Sequence, residues 1–337
     1  MRNFVAILPM LLVLWILSPL SLAFAQDLPG WEEWKAAYIR PPGRVVDPQN
    51  KDATVSEGQG FGMLFAVAAH DQETFDRLWT WTHNNLDVLG NGLLAWQWLP
   101  DKGVTERNNA TDGDLLIAWA LALAGERFSH PETYTTDAKR IADAILAHLV
   151  VKTQRGQILL PGLQGFDKKE GKIVNLSYWV FPAFSALDRI APSPAWKALA
   201  ESGKRLLEAA RFGRWQLPPD WLLLSDPLKP APGWPPRFGY NAIRIPLYLA
   251  WAGITDESLM APFKGYWTTQ PCPQFLPAWT DLETDAIASY GAEPGIRAIR
   301  DLILNKNIPP PETSISAQGY YSASLYLLSH MALRQIR

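Results

Sequence analysis

Acidic residues stand at two places where a polar segment runs into a helix-like apolar pattern. Glu57 lies among small residues in the segment 54–63, and Asp112 and Asp114 come directly before the apolar run 115–121. Two carboxyl groups are what glycoside hydrolysis needs, because one protonates the leaving oxygen and the other activates water or attacks carbon. Glycines beside Glu57 would let a large ligand approach the backbone. The residue types therefore make Glu57 and Asp112 candidates for an acid–base pair.

The same residues also suit helix capping. Ser56 is a candidate N-cap, with Glu57 favoured in the first turn by the helix macrodipole, and Asp112 is a candidate N-cap of the next helix. A helix start lowers the pKa of a carboxyl group, so a general-acid role for Glu57 requires desolvation or a second carboxylate to raise it. A cation site at Asp112 and Asp114 is disfavoured, because calcium loops supply more oxygen ligands at defined spacing.

The composition excludes several classes of protein. The chain has 337 residues, of which 48% are hydrophobic and 19% charged, as in a globular protein of one or two domains. Its 31 basic and 33 acidic side chains give a formal charge of −2, which argues against nucleic acid as a partner and permits a neutral substrate. Cys272 is the only cysteine, so neither an intrachain disulfide nor a cysteine metal cluster can form. The histidines show no metal-ligand spacing and no nucleotide-binding loop is present, so we expect no metal and no cofactor.

Residues 1–25 have the pattern of a secretory signal peptide. A charged start precedes an apolar run over 4–22, and Ala23-Phe24-Ala25 gives the small-x-small pattern that signal peptidases accept. A membrane anchor is the alternative, but no basic stop-transfer cluster follows the run. We therefore expect cleavage before Gln26, a single catalytic domain over 26–337, and a mature protein that is periplasmic or secreted and has no membrane contact.

Helical periodicity recurs along the chain, whereas alternating strand patterns with hairpin turns are scarce, so the all-α class is predicted. The segments with helical periodicity are 31–40, 57–70, 73–86, 112–126, 134–150, 177–189, 194–211, 240–252, 256–268, 280–290, 293–304 and 319–336. Proline- and glycine-rich connections separate them. No linker is long or polar enough to divide the chain into domains.

Twelve helices in consecutive hairpins can form an open solenoid or a closed ring of six inner helices wrapped by six outer ones. Closure is predicted because the runs 115–124 and 243–252 are apolar nearly all round, as expected of inner helices that outer helices screen. The sequence also shows no fixed-period repeat of the solenoid kind. In a closed ring, the N-terminal ends of the inner helices and the loops before them would define a cleft.

Several motifs give the chain a family resemblance. They are Gly43-Arg44-Val45-Val46-Asp47, Ser56-Glu57-Gly58-Gln59, the run that begins Ala110-Thr111-Asp112-Gly113-Asp114, Asn175-Leu176-Ser177-Tyr178, Tyr240-Asn241-Ala242-Ile243-Arg244 and Tyr320-Tyr321. With these motifs the chain resembles glycoside hydrolase family 8, and in particular the exported endo-β-1,4-glucanases associated with bacterial cellulose synthesis. The resemblance implies an (α/α)6 barrel of six inner and six outer helices, cleavage of β-1,4-glucan and inversion at the anomeric carbon. It implies cellulose or cello-oligosaccharides as the ligand and raises the cellulose synthase machinery as a partner.

The resemblance also assigns roles by position. Glu57 is implied as the proton donor, and Asp112 as the family's signature aspartate, which grips and distorts the sugar at the cleavage site. Aromatic planes stack on the apolar C–H faces of sugar rings, which gives a use to some of the 16 tryptophans, although a tryptophan outside the matched motifs is more often a packing residue. The residues implied as substrate-binding are Asp114, Trp96, Trp98, Tyr178, Tyr240, Asn241, Arg244 and Tyr320.

Asn241 departs from the family's pattern. The cellulase branch has a catalytic-base aspartate in the corresponding Tyr-Asp-Ala-x-Arg segment, and an amide cannot accept the proton of water. Asn241 can still orient the water by hydrogen bonding, so another carboxylate must be the base. The candidates are Asp112, Glu106, Asp226 and Glu283. Two alternatives stay open: a related polymer such as chitosan or mixed-linkage β-glucan as substrate, and a weakened enzyme that only binds glycans.

Overall fold

A ring of α-helices makes up most of the molecule. The computed structural model describes residues 28–269, 275–305 and 307–336, and eleven α-helices lie within these ranges. The helices are Trp31–Tyr38 (α1), Ser56–Ala68 (α2), Gln72–Leu86 (α3), Thr111–Arg127 (α4), Pro131–His148 (α5), Phe181–Ile190 (α6), Pro194–Ala209 (α7), Arg244–Trp251 (α8), Glu257–Thr268 (α9), Pro294–Asn305 (α10) and Tyr320–Ile336 (α11). None of the described helices combines the length and apolarity that a membrane span requires. The predicted signal peptide 1–25 and Cys272 lie outside the described residues.

Five helices line the inside of the ring, and each of them buries most of its residues. Helices α2, α4, α6, α8 and α11 pack against one another in that order, and α11 closes the ring on α2. The run 115–121 of α4 is buried at every position, as is the run 61–67 of α2. Helices α1, α3, α5, α7, α9 and α10 bury only part of their surface and lie outside. The predicted all-α barrel of inner and outer helices is confirmed, and the described residues show five inner helices and six outer ones.

The predicted helix 280–290 is wrong, and its place between α9 and α10 holds a strand and turns. Thr280–Asp281 forms a strand that pairs with Arg237–Phe238. The side chain of Asp281 then accepts a hydrogen bond from the backbone N–H of Glu283, at 3.1 Å. A side-chain bond of this kind offers the backbone a turn in place of helical bonds, which is why the apolar spacing misleads here.

Short antiparallel strands build small sheets in the loops, and the described residues contain thirteen of them. They are Ile39–Arg40 (β1), Arg44–Val45 (β2), Thr54–Val55 (β3), Gln97–Leu99 (β4), Gly103–Val104 (β5), Val150–Thr153 (β6), Gly156–Leu159 (β7), Asp167–Lys168 (β8), Gly171–Val174 (β9), Leu222–Leu224 (β10), Lys229–Pro230 (β11), Arg237–Phe238 (β12) and Thr280–Asp281 (β13). Strands β3, β4 and β5 form one sheet, and a second has the order β11-β10-β9-β8. Strands of two to four residues are too short for alternation to show, so the sequence analysis missed them.

Candidate active site

Two glycines let the starts of α2 and α4 lie against each other. A Cβ atom on Gly60 would stand 2.6 Å from Cβ of Leu116, and one on Gly113 would overlap the side chain of Ser56. Real Cβ atoms do not approach that closely, so only glycine permits this spacing between the helices. The close approach places the first-turn carboxylates of the two helices side by side.

The carboxylates at these helix starts are not used as caps. Val55 and Ala110 occupy the cap positions, and neither supplies a side-chain hydrogen bond, so the predicted capping by Ser56 and by Asp112 is wrong. Oδ1 of Asp112 accepts a hydrogen bond from the backbone N–H of Gly113 at 2.9 Å. Its second oxygen therefore stays available for the site.

The guanidinium of Arg244 joins four separate segments of the chain. This side chain begins α8 and is only 2% exposed. Its Nη1 donates to Oε1 of Glu57 and, at 3.0 Å, to Oδ2 of Asp112. Its Nη2 donates at 3.1 Å to both Oγ of Ser177 and Oδ1 of Asn241. The structure thus brings the predicted residues Glu57, Asp112, Asn241 and Arg244 into one cluster, called the Arg244 cluster below.

Burial and the charge of Arg244 act in opposite directions on Asp112. Burial raises the pKa of Asp112, because a charged carboxylate loses its hydration there. The ion pair with Arg244 favours the charged form. One guanidinium facing two carboxyl groups is neutral overall when one of them keeps a proton, and burial favours that state. The Glu57 side chain is 18% exposed against 2% for Asp112, so Glu57 is the carboxyl that faces a ligand.

The spacing of the two carboxylates argues against Asp112 as the base. Both contact the same nitrogen of Arg244, so their nearest oxygens lie at most two hydrogen-bond lengths, about 6 Å, apart. Inverting glycosidases separate acid and base by roughly 6.5–9.5 Å, because a water must fit between them. Asp112 therefore lies too close to Glu57 for the two to act as acid and base on either side of a water.

The other three candidate bases do not contact Arg244. Glu106 is exposed and accepts a hydrogen bond from Nε1 of Trp96 at 3.0 Å. Asp226 has a side chain that is 100% exposed, 4.0 Å from a surface arginine. Glu283 lies in the exposed turn that follows β13. The structure gives none of them a place in the Arg244 cluster.

A carboxylate that the sequence analysis missed, Asp220, lies beside Asn241. Its Oδ1 accepts hydrogen bonds from the backbone N–H groups of Gly239, Asn241 and Ala242, at 3.2, 3.0 and 2.7 Å. Burial raises the pKa of Asp220 to about 6, although these three bonds oppose the shift. In the sequence its one signal is a lone acidic residue after Pro218-Pro219 in the connection from α7 to α8. Nothing local shows that this connection folds back onto Asn241.

Three of the predicted sugar-binding aromatics border the site. Trp96 accepts a backbone hydrogen bond from Ser56 at 2.9 Å, which holds it next to the start of α2. The ring of Tyr178 lies 5.8 Å from Cζ of Arg244. Tyr240 is 40% exposed, beside Asn241 in the chain. Their partly exposed rings are the kind of surface on which a sugar can stack.

Two of the residues predicted to bind substrate, Asp114 and Tyr320, have side chains that are buried in protein contacts. Asp114 is fully buried, and its two oxygens accept hydrogen bonds from the backbone N–H of Leu94 at 2.9 Å and from Nδ2 of Asn109 at 2.7 Å. Tyr320 is 6% exposed, and its ring packs edge-on against Tyr38 at 5.6 Å. Both residues support the site from behind.

Further aromatic contacts lie on either side of the Arg244 cluster. The predicted residue Trp98, on β4, packs 5.5 Å from the ring of a buried tryptophan, and the guanidinium of Arg44 covers it at 4.8 Å. The sequence analysis missed Trp221, which follows Asp220 and contacts Tyr178 edge-on at 6.0 Å. Phe166 and Trp234 stack on Trp221 at 5.5 and 4.9 Å. Only the tertiary structure joins these rings, since they come from three different loops.

The described residues contain no group of three or more His, Cys, Asp or Glu side chains that could hold a metal ion. A cavity of about 1150 Å³ lies at the other end of the barrel, where α2, α4 and α11 finish, and includes Trp119 and Trp251 in its lining. It is remote from the Arg244 cluster, and none of the predicted site residues lines it.

The chain is similar to known proteins over most of its length. The sequence model described as glycosyl hydrolases family 8 matches residues 3–335. A probable endoglucanase of Novacetimonas hansenii is 42% identical over 322 residues, which cover 92% of this chain and 93% of that protein. An endoglucanase of Cellulomonas uda is 38% identical over 288 residues, or 84% and 79% of the two chains. The solved structure of an endo-β-1,4-glucanase from Acetobacter xylinum superposes with a TM-score of 0.86 at 40% identity, covering 92% of this chain and 98% of that one.

Proposed function

This chain belongs to the glycosyl hydrolases of family 8, and on that premise we propose that it is an endo-β-1,4-glucanase that cleaves β-1,4-glucan with inversion at the anomeric carbon. The relatives that cover most of its length are named endoglucanases. The observation that carries the proposal is the contact of one buried arginine, Arg244, with Glu57, Asp112 and Asn241. This arrangement gives a glucan an acid, a second carboxylate behind it and a water-orienting amide in one place.

Glu57 acts as the general acid. It is the more exposed of the two carboxyl groups on Arg244, so it can reach a glycosidic oxygen while Asp112 stays behind it. Proton transfer from Glu57 to that oxygen lets the bond to the anomeric carbon break through an oxocarbenium-like state. Asp112, held behind Glu57 by Arg244, favours in its ionised form the positive charge that develops on the ring.

The experiment that tests the function follows the digestion of cellopentaose by NMR. The wild-type protein should release the α-anomer first. Glu57→Gln keeps the size of the side chain but cannot donate the proton, so turnover should fall about 10²–10⁴-fold while folding and oligosaccharide affinity stay near wild type. Retained turnover in this variant would remove the acid assignment, and first release of the β-anomer would contradict inversion.

A matched control uses a glutamate remote from the Arg244 cluster. Glu126 pairs with Arg189 at the surface, with its side chain 51% exposed. The variant Glu126→Gln should digest cellopentaose at the wild-type rate.

Asn241 is a reason to test a related polymer as the substrate, because it replaces the aspartate of the family's cellulase branch. A panel of chitosan, mixed-linkage β-glucan and cello-oligosaccharides decides which polymer is cut fastest. Binding of oligosaccharides with no release of reducing ends from any of them would instead indicate a glycan-binding protein.

The place of action is also part of the proposal. The pattern in residues 1–25 supports export to the periplasm or beyond. The link to bacterial cellulose synthesis rests on the resemblance of the motifs. Co-purification of a tagged cellulose synthase subunit with this protein would support a physical association, and its absence after cross-linking would argue that the two share only the glucan.

A further inference from the structure

Asp220 has one oxygen that is fully bonded and one that is free. Oδ1 accepts the three backbone hydrogen bonds from Gly239, Asn241 and Ala242. Oδ2 accepts none from the described residues and is not sealed from solvent. A Cβ atom on Gly239 would stand 2.9 Å from Oδ2, so the glycine keeps this side of the carboxylate open. The three bonds to Oδ1 fix the direction in which Oδ2 points.

Asn241 carries a free hydrogen-bond donor in the same region. An arginine has donors only, so Oδ1 of Asn241 must face Arg244 and its Nδ2 must point elsewhere. Nδ2 is bonded to none of the described residues and is not sealed from solvent. Because Asp220 bonds the backbone N–H of Asn241 itself, the free donor and the free acceptor belong to neighbouring side chains. A water that contacted both side chains would have one hydrogen-bond donor and one acceptor.

This region lies across the guanidinium from the acid. Glu57 contacts Nη1 of Arg244, whereas Asn241 contacts Nη2. Asp220 accepts a hydrogen bond from Asn241, whereas Asp112 shares Nη1 of Arg244 with Glu57. Asp220 is thus a carboxylate that does not share a nitrogen with the acid, and an inverting enzyme needs room for the attacking water between acid and base.

The groups that face Asp220 allow it to be charged. Arg237 on β12 and Tyr321 on α11 are its titratable neighbours, and Arg237 favours the charged carboxylate. Burial still raises the pKa of Asp220 to about 6, which leaves it ionised at neutral pH and able to take a proton.

We propose that Asp220 is the general base of the reaction and that Asn241 orients the water which Asp220 deprotonates. The proposal rests on the glucanase function proposed above. In the family's cellulase branch the base is an aspartate at the position of Asn241. In this chain the proposed base is the carboxylate next to Asn241, that of Asp220.

In the proposed step, water attacks the anomeric carbon while Asp220 accepts a proton and Glu57 donates one. Nδ2 of Asn241 donates a hydrogen bond to the water oxygen, and the water donates one to Oδ2 of Asp220. The water oxygen forms a bond to the anomeric carbon as the bond from that carbon to the glycosidic oxygen breaks. Oδ2 takes the proton of the water, and Glu57 gives its own proton to the leaving oxygen. One water is consumed, and exchange with solvent returns both carboxyl groups to their starting forms.

Asp220→Asn tests the proposal, because asparagine keeps an oxygen for the three backbone N–H groups but does not accept a proton. We expect kcat on cellopentaose to fall about 10²–10⁴-fold, with KM and melting temperature near wild type. The acidic limb of the kcat/KM profile, on which the wild-type rate rises as the base ionises, should disappear. Asp226→Asn is the matched control: its exposed side chain lies in the same connection, so it should keep the wild-type rate.

Sodium azide separates proton transfer from loop anchoring. Azide is already an anion and attacks carbon without a base, so it should restore bond cleavage in the Asp220→Asn variant and form the α-glycosyl azide. If Asp220 only anchored residues 239–242, the Asp220→Asn variant would keep its turnover through the retained amide oxygen, or would lose it by displacing Asn241, and azide would then restore nothing.

A second rescue returns a carboxylate to the site. The double variant Asp220→Asn, Asn241→Asp should be at least tenfold more active than the single variant Asp220→Asn. Wild-type turnover in Asp220→Asn would overturn the base assignment and leave the glucanase function standing, as would lost turnover that neither azide nor Asn241→Asp restores. A wild-type protein that cuts no β-glucan or chitosan would overturn the proposed function and the base with it.

Discussion

At the scale of residues, one buried arginine sets the character of the site. Arg244 donates to two carboxyl groups on one side and to a hydroxyl and an amide on the other. Removing one member of a buried charged pair leaves its partner uncompensated, at a cost of about 3–5 kcal/mol. The geometry of Asn241 follows from this arrangement, since only its oxygen can face the arginine. The site is therefore pre-arranged before any sugar arrives.

Asp114, directly behind the site, predicts a pH dependence of stability. Burial raises its pKa to about 7 from an ordinary value of 3.8, so the folded protein holds a proton that the unfolded chain releases from about pH 4 upward. Stability from this group is complete below pH 4 and falls as pH rises to 7, on the order of 1 kcal/mol per pH unit. Asp114→Asn is neutral at every pH and should flatten the decline. Urea unfolding at about pH 4.5, 6 and 7.5 measures the difference.

The control for this measurement is an exposed aspartate. Asp143 lies on α5 with a side chain that is 53% exposed, and it pairs with Lys139. Asp143→Asn should keep the wild-type dependence of stability on pH. Equal slopes for wild type and Asp114→Asn would show that Asp114 is not protonated in the folded state.

At the scale of elements, the approach of α2 to α4 decides where the carboxylates stand. The helices touch through Gly60 and Gly113, where no side chain larger than hydrogen fits. A glycine in a helix costs about 1 kcal/mol of helix stability relative to alanine, so the two glycines weaken their helices while permitting the close contact. The glycines beside Glu57 thus have a packing role in addition to any access that they give to a ligand.

Gly60→Ala should separate the two helices. The added methyl group would stand 2.6 Å from Cβ of Leu116, so we expect a loss of stability of about 1–3 kcal/mol and a parallel loss of glucanase activity. Gly265→Ala on α9 is the matched control, because a Cβ atom there meets nothing within 4 Å. It should leave activity unchanged and raise stability by about 0.5–1 kcal/mol. Unfolding by urea and cellopentaose assays measure both, and equal behaviour of the two variants would contradict the packing argument.

At the scale of the whole molecule, closure of the ring assembles the site from distant parts of the chain. Arg244 lies 187 residues after Glu57 and 132 after Asp112 in sequence, yet it contacts both. The contact of α11 with α2 and α8 completes the circle that holds these segments. The site therefore exists only when the whole barrel has folded.

The predicted export of the protein also concerns the whole chain, and the N-terminal residue of the mature protein tests it. We expect that the protein made with its natural N-terminus loses residues 1–25 and begins at Gln26, since Ala23-Phe24-Ala25 suits signal peptidase. Intact-mass and N-terminal analysis of the periplasmic and culture fractions measure the cleavage. An uncleaved chain in the membrane fraction would support the anchor instead, and Ala25→Pro should block processing.

The sequence by itself determined the helical barrel and made Glu57 the candidate acid, because helix periods and the motifs behind the family resemblance are local patterns. Apolar periods predict helices such as α4 and α11 directly, and Glu57 and Asp112 stand in motifs of a few neighbouring residues. Arg244 and Asn241 came from a motif as well. The short strands were not predicted, because a strand of two residues is too short to show an alternating pattern. The turn at 280–290 was not predicted, because a side-chain hydrogen bond can replace a helical one there.

Only the tertiary structure decided which carboxylates share a nitrogen, which aromatics are buried and where Asp220 lies. Asp114 and Tyr320 look equivalent to Asp112 and Tyr240 in the sequence, but the direction of each side chain depends on the helices packed around it. Asp220 meets Asn241 because the connection from α7 to α8 folds back and offers three N–H groups to one oxygen. Contacts between residues far apart in the chain are set by packing of the complete ring, and no local pattern encodes them.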